Sequence, residues 1–345
     1  MNQVEQSVAE YVDEVWEDVV ADIEQLVSYP SVAVAADAEP GAPFGRPVRD
    51  ALDCALGIAQ KLGYQTSDDE GYVGIADIPG RGDKQLATIC HVDVVPAGPG
   101  WNTDPFAMGR REGWLLCRGV IDDKGPAVLS LYASAYLLKH GIVPRYTFRA
   151  LLGCDEEVGM SDVHHYLENH ANPDFLFTPD AEFPVCNAEK GQFGATYVSP
   201  KIDGWRIVSW SGAEASKAIP SQTICELAIA ADELPAPVEN VDRLEITALD
   251  NGHAQIFAHG IGGHASMPEG TINAVGLIVS YLREAEDAFG ARGERLLTPA
   301  EHEFVKFLAF VHADAYGRGL GIDATSPAFG PLTCNPGVIR VVDGH

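Results

Sequence analysis

A chain of 345 residues with 46% hydrophobic content can bury a large core, and its length favours two domains over one. Fifty acidic residues against 23 basic ones give a formal charge of −27, which opposes binding to phosphate backbones and anionic membrane surfaces and suits either a salt-rich habitat or plain solubility. No apolar run approaches the ~18 residues of a membrane span, and seven scattered cysteines without a C-x-x-C pair suggest no disulfide framework, so the expectation is a soluble cytoplasmic protein with neither nucleic-acid nor membrane partners.

The segment from Met1 to Ser28 is acidic and reads as an amphipathic helix, with Val4, Val8, Tyr11, Val12, Val15, Val19 and Ile23 at helical spacing. It lacks the basic start and apolar core of a signal peptide. A Pro/Ala/Gly-rich loop over about residues 29–47 precedes a helix near 48–62. Strands are expected near 72–77, 86–90, 114–117, 146–152 and 175–177, with helices near 126–140 and 161–170. That alternation predicts an α/β fold, a layered sheet with flanking helices. From about Glu189 the texture changes to short strands, near 195–199, 205–210, 244–249 and 253–258, followed by helices over 272–288 and 299–316. A second α+β domain is expected there, dividing the chain into 1–188 and 189–345. The last run, Gly337 to Val342, reads as a strand followed by a turn, which normally leads into a partner strand.

Polar islands stand where the strands of the first part end: Cys90-His91-Val92-Asp93, Ile121-Asp122-Asp123-Lys124-Gly125, Cys154-Asp155-Glu156-Glu157-Val158-Gly159 and Thr178-Pro179-Asp180-Ala181. In an open α/β sheet the carboxyl ends of strands converge on one crevice, and carboxylates gathered there repel one another unless a cation sits among them. Asp93, two residues after His91, can accept the second imidazole N–H and fix the tautomer of a ligating histidine. Asp122 and Asp123 precede a helix and suit either N-terminal capping or a carboxylate bridge between two cations. Glu156 and Glu157, on extended backbone, would point opposite ways, one to a metal and one to a water, or would simply form an acidic helix start. Asp180 alone reads as a turn aspartate. His264, in Gly262-Gly263-His264-Ala265-Ser266-Met267-Pro268, is either a loop histidine or a donor that stabilises an oxyanion.

Taken together, five islands resemble those of the dinuclear zinc exopeptidases related to aminoacylase and carnosinase, most closely their peptidase V branch of dipeptidases. They are His91-Val92-Asp93-Val94-Val95-Pro96, Arg118 to Pro126, Glu156-Glu157-Val158-Gly159, Thr178 to Pro184 with Glu189-Lys190-Gly191, and His264 to Pro268 with Asn273-Ala274. The resemblance covers nearly the whole chain in the family's order. It implies a zinc-peptidase catalytic domain at 1–188 and a lid domain at 189–345. His91 and Asp180 would bind one zinc, Asp122 would bridge, Glu157 would bind the second, Glu156 would be the general base, Asp93 would orient His91, and His264 would polarise the scissile carbonyl. Manganese or cobalt also suit these ligands.

By the same resemblance, the family continues past the point matching His345, supplying an arginine for the substrate carboxylate and a last histidine for the second zinc. On that reading both domains are incomplete at the C-terminus and this chain holds one zinc rather than two. The expected reaction is dipeptide hydrolysis. Deacylation of N-acyl amino acids on the same metal site, and a non-catalytic remnant or binding module, are the alternatives.

Overall fold

The apolar periodicity at the N-terminus folds as helix α1 (Gln3–Val27) in the computed structural model, which describes residues 3–98, 100–181, 184–213 and 217–345. Met1 and Asn2 of the expected helix, and Glu182 and Phe183 of the island around Asp180, lie outside the described residues. The chain divides into two units, Met1–Asn187 and Ala188–His345. No helix among the described residues is long and apolar enough to cross a membrane.

After α1 the first unit carries α2 (Arg46–Lys61), β1 (Gln65–Asp69), β2 (Val73–Ile78), β3 (Gln85–His91), β4 (Gly109–Arg111), β5 (Trp114–Leu116), α3 (Lys124–Lys139), β6 (Thr147–Gly153), α4 (Ser161–Asn169) and β7 (Phe175–Phe177). Five of these strands form one sheet in the order β1-β2-β6-β3-β7. β3 runs parallel to both β6 and β7, while β1 and β2 add an antiparallel edge. Both faces of the centre are covered, which is why β2 and β6 read as nearly continuous apolar runs. From β6, Phe148, Ala150 and Leu152 enter the core shared with α1, α2 and α3, and Leu151 meets Val73, Ile75 and Tyr166 of α4 on the other face. Leu152→Ala is expected to destabilise this unit by about 2–5 kcal/mol through the cavity it leaves, read as a lower denaturant midpoint.

Three details depart from the sequence reading. The α1 face is covered only from Tyr11 onward, where the Tyr11 hydroxyl donates to the Tyr132 carbonyl of α3, so Val4 and Val8 stay exposed, and Val12 is exposed as well although it follows Tyr11. The run at 114–117 pairs with β4 in a separate hairpin and leaves Trp114 exposed instead of joining the main sheet. β1, Gln-Thr-Ser-Asp-Asp, carries no apolar alternation because it is an edge strand whose side chains are mostly exposed.

The second unit contains β8 (Ile207–Ser211), β9 (Ala218–Ile219), β10 (Gln222–Leu227), β11 (Leu244–Ala248), β12 (Ala254–His259), β13 (Gly263–His264), α5 (Ala274–Ala291), α6 (Pro299–Val311), β14 (Thr325–Ser326) and β15 (Gly330–Pro331). An antiparallel sheet, β11-β12-β10-β8, packs beneath α5. Its core joins Cys225, Leu227, Ile256 and Ala258 to Val275, Ile278 and Leu282. α6 begins with a capping box in which Thr298 and Glu301 satisfy each other's backbone amides. β10 is legible only in retrospect, because its inward set, Thr223, Cys225 and Leu227, is weakly apolar. The expected strand at 195–199 is irregular: Thr196, Tyr197 and Val198 are β-branched or aromatic, but the segment belongs to no strand ladder. Residues 337–342 run beside β8 through a single bridge, Ser211 to Arg340, and hydrogen bonds from Gly212 N and Ala213 N. Val342 and His345 then exchange backbone hydrogen bonds, closing the turn on itself.

Candidate metal centre

Strand register brings the islands of the first unit together. β3 and β6 are parallel with His91 beside Gly153, so the residues after both strands leave the sheet at one edge. β7 sets Phe177 beside Thr88; three residues further along each chain stand Asp180 and His91. Nε2 of buried His91 lies 3.1 Å from Asp122 Oδ1 and 3.5 Å from Asp180 Oδ2. His91, Asp122 and Glu157 form one group with ligand atoms within 4.8 Å of one another, and His91, Asp123 and Asp180 form another. Ligands held at ~2.0–2.2 Å around a tetrahedral ion stand ~3.3–3.6 Å apart. Small side-chain adjustments therefore suffice for a one-nitrogen, multi-carboxylate shell that suits a divalent cation.

The tautomer of His91 follows from its neighbours. Nδ1 lies 3.0 Å from the Asp93 carbonyl oxygen and 3.2 Å from Asp93 Oδ1. Both are acceptors, so Nδ1 carries a proton, and Nε2 is the nitrogen that faces the carboxylate cluster, where a cation would take the place of its proton. Burial alone would lower the pKa of His91, but hydrogen bonds to Asp122, Asp180 and Asp93 outweigh it and hold the imidazole well above its ordinary range. Burial, aided by the charge of Asp180, pushes Asp123 up to about 8. The carboxylates gathered on His91, and the charge of Asp180 beside Asp123, are negative charge that a cation would relieve.

Asp123 corrects the capping expectation. It occupies the N-cap of α3, at the end of a cis Asp122–Asp123 peptide, yet makes no side-chain cap bond. Its Oδ2 accepts the His91 backbone N–H at 3.0 Å, and its buried Oδ1 has no hydrogen-bond partner among the described residues. A fully buried carboxylate with an orphaned oxygen beside a histidine fits a cation centre better than a helix cap. The turn into α3 is tight: Gly125 N donates to Gly119 O, and a Cβ at Gly125 would stand 1.8 Å from the Val120 carbonyl oxygen. Lys124, also buried, donates to the Tyr29 carbonyl at 2.7 Å, and burial lowers its pKa to about 8.

Glu156 and Glu157 lie in a turn over 156–159 rather than on extended backbone, so strand alternation does not divide their directions as expected. Asp93 holds them instead: its Oδ1 accepts from Glu156 N at 3.2 Å and its Oδ2 from Glu157 N at 3.1 Å. Thus Asp93 meets both the histidine and the two glutamates. Asp180 is braced by its own N–H donating to Thr178 Oγ1.

His264 belongs to the second unit, in β13, paired with β9. Its ring is exposed, and Nδ1 lies 2.6 Å from Ser266 Oγ while receiving the Ser266 backbone N–H at 3.3 Å. An amide donor at Nδ1 puts the imidazole proton on Nε2, leaving an outward donor. Asn273 caps α5 by accepting from Val275 N and donates to the Pro336 carbonyl. His345 turns inward to the Ser199 carbonyl, 2.8 Å from its Nδ1, as an ordinary residue of this unit.

Residues 87–330 match Peptidase family M20/M25/M40. The chain is 32% identical over 347 residues to YtjP of Bacillus subtilis, named as a dipeptidase, spanning 95% of this chain and 71% of that protein. It is 31% identical over 331 residues to the Beta-Ala-Xaa dipeptidase of Lactobacillus delbrueckii subsp. lactis, spanning 92% and 67% respectively. Human carnosine dipeptidase 1 superposes with a TM-score of 0.45 at 22% identity, over 51% of this chain and 41% of that one. The chain therefore belongs to Peptidase family M20/M25/M40 and is a hydrolase of the metallo-dipeptidase class.

Proposed function

We propose that this protein hydrolyses dipeptides at a zinc centre held by His91, Asp122, Asp180 and Glu157, with Glu156 as general base. One observation carries the reading: ligand atoms from segments far apart in sequence meet near His91 Nε2, while the turn bearing Glu156 hangs on the carboxylate that also holds the histidine. The first unit is assigned as the catalytic part and the second as the lid. His91 and Asp180 would hold one ion, Asp122 would be shared, and Glu157 would hold the second; nitrogen and carboxylate donors of this kind also accept manganese or cobalt. The chemistry such a cation supplies is Lewis acidity toward the peptide carbonyl and acidification of a water. Glu156 would take a proton from the attacking water and return it to the leaving amine nitrogen. Asp93 keeps His91 in the Nδ1–H tautomer, and His264 is the donor assigned to the developing oxyanion.

The test is activity on a dipeptide panel that includes β-alanyl dipeptides, with N-acyl amino acids in parallel and metal content measured on the same sample. Dipeptide turnover with bound zinc is expected. Turnover confined to acylated amino acids would replace the reading with a deacylase, and zinc-free protein inert on both would replace it with a non-catalytic binding module. The centre also predicts a stability effect. Chelation should lower the melting temperature of the first unit by returning its carboxylates to mutual repulsion, and zinc restored to about 100 times its Kd should recover about 2.7 kcal/mol. A thermal scan that ignores chelator and zinc alike would count against the ligand set.

A further inference from the structure

The segment that carries the two glutamates hangs on a second buried carboxylate in addition to Asp93. Asp162, in the first turn of α4, is buried. Its Oδ2 accepts from Cys154 N at 2.7 Å and from Asp155 N at 3.0 Å, and its Oδ1 accepts from Val163 N at 2.7 Å. With the two bonds to Asp93, four consecutive amides, Cys154 to Glu157, end on just two carboxylates. The sequence makes room for this arrangement at Gly153, where an added Cβ would stand 2.5 Å from Asp162 Oδ2. Asp155 closes the far side of the turn: its Oδ2 accepts from Ser161 N and Ser161 Oγ, and its carbonyl accepts from Gly159 N and Met160 N. The turn is therefore fixed from the α4 side and from the β3 side at once.

We propose that Asp162 is a positioning residue for the metal centre, setting the height and direction of Glu156 and Glu157 through the backbone without touching substrate or ion. The inference rests on the reading of Glu157 as a ligand. Both oxygens of Asp162 accept, so an acceptor-only side chain is required. An asparagine would face one of those N–H groups with its own N–H, and an alanine would leave three amides without their acceptor.

Zinc affinity, measured by chelator competition on the full 345-residue chain, tests this with Asp162→Ala, Asp162→Asn and Glu157→Gln beside the unchanged protein. Loss of a group that orients a ligand costs about 10–100-fold in metal affinity. Asp162→Ala is expected in that range and Asp162→Asn between it and the unchanged chain. Hydrogen exchange should rise more in the 153–160 segment than in the rest of the first unit, beyond the general rise that a lowered melting midpoint brings. Asp162→Asn is nearly isosteric and keeps the test informative if the alanine variant does not fold. Zinc affinity within twofold of the unchanged chain in both Asp162 variants, with Glu157→Gln weakened, would overturn the positioning role and leave the ligand reading standing. Glu157→Gln that binds zinc normally would overturn the ligand reading and the inference with it. Exchange rising throughout the unit, in step with a lowered midpoint, would reduce Asp162 to a support of the fold.

Discussion

Glu156→Gln is expected to cost roughly 10²–10⁴ in kcat, the usual worth of a general base, while bound metal stays at the level of the unchanged protein. The separation is expected because the backbone at this position is held independently of the side chain, by the Glu156 N–H bonded to Asp93 Oδ1. Glutamine keeps that bond, the length of the side chain and a hydrogen-bonding carbonyl, and loses only the capacity to take a proton at neutral pH. Glu157→Gln should behave oppositely, since its carboxylate belongs to the group around His91 Nε2. Steady-state kinetics and elemental analysis on the same preparations distinguish the two. Equal loss of metal in both variants would remove the division of labour between them.

Asp122→Ala is expected to abolish stoichiometric metal binding and to lower turnover at least as far. Asp122 approaches His91 Nε2 more closely than Asp180 does, at 3.1 Å against 3.5 Å. Because an outer partner of a ligand is worth about 10–100-fold, removal of a shared ligand should exceed it, about 10³-fold or more in activity. Added zinc should not restore the rate at concentrations that saturate the unchanged enzyme. A variant purified with its full zinc content would show that Asp123, whose carboxylate also stands against His91, takes the shared position instead.

The main sheet was readable because its strands are buried on both faces, so β2, β3 and β6 appear as dense apolar runs with little ambiguity. What escaped was of two kinds. Edge and lightly packed strands, β1 and β10, lack the alternation that burial imposes. Isolated aromatic and β-branched runs, at 195–199 for instance, have strand composition without a neighbour to bond, and composition supplies no ladder. Part of the candidate centre was legible for a topological reason: parallel strands deliver their following residues to a common edge, which groups His91, Glu157 and Asp180, whereas Asp122 follows no strand of the main sheet and joined them through the family resemblance. The supports were not legible. Asp123 looked like a helix cap and Asp162 like an acidic first-turn residue, because their roles depend on backbone amides far away in sequence, at His91 and Cys154.

Asp93 receives the imidazole of His91 and the amides of Glu156 and Glu157 on a single side chain. Three groups assigned to the proposed centre thereby share one mechanical fixture, and their free energies are not expected to vary one at a time. A substitution that loosens the turn changes what the histidine feels, and a substitution at the histidine alters the charge against which the turn amides are held. Measured effects at these four positions will therefore combine non-additively, as they do for residues that act as a unit. The centre can drift in sequence only by coordinated replacement, whereas ligands mounted on separate supports could be exchanged piecemeal. Tolerance to mutation here is a property of the fixture, and it is lower than the burial of any one ligand would suggest.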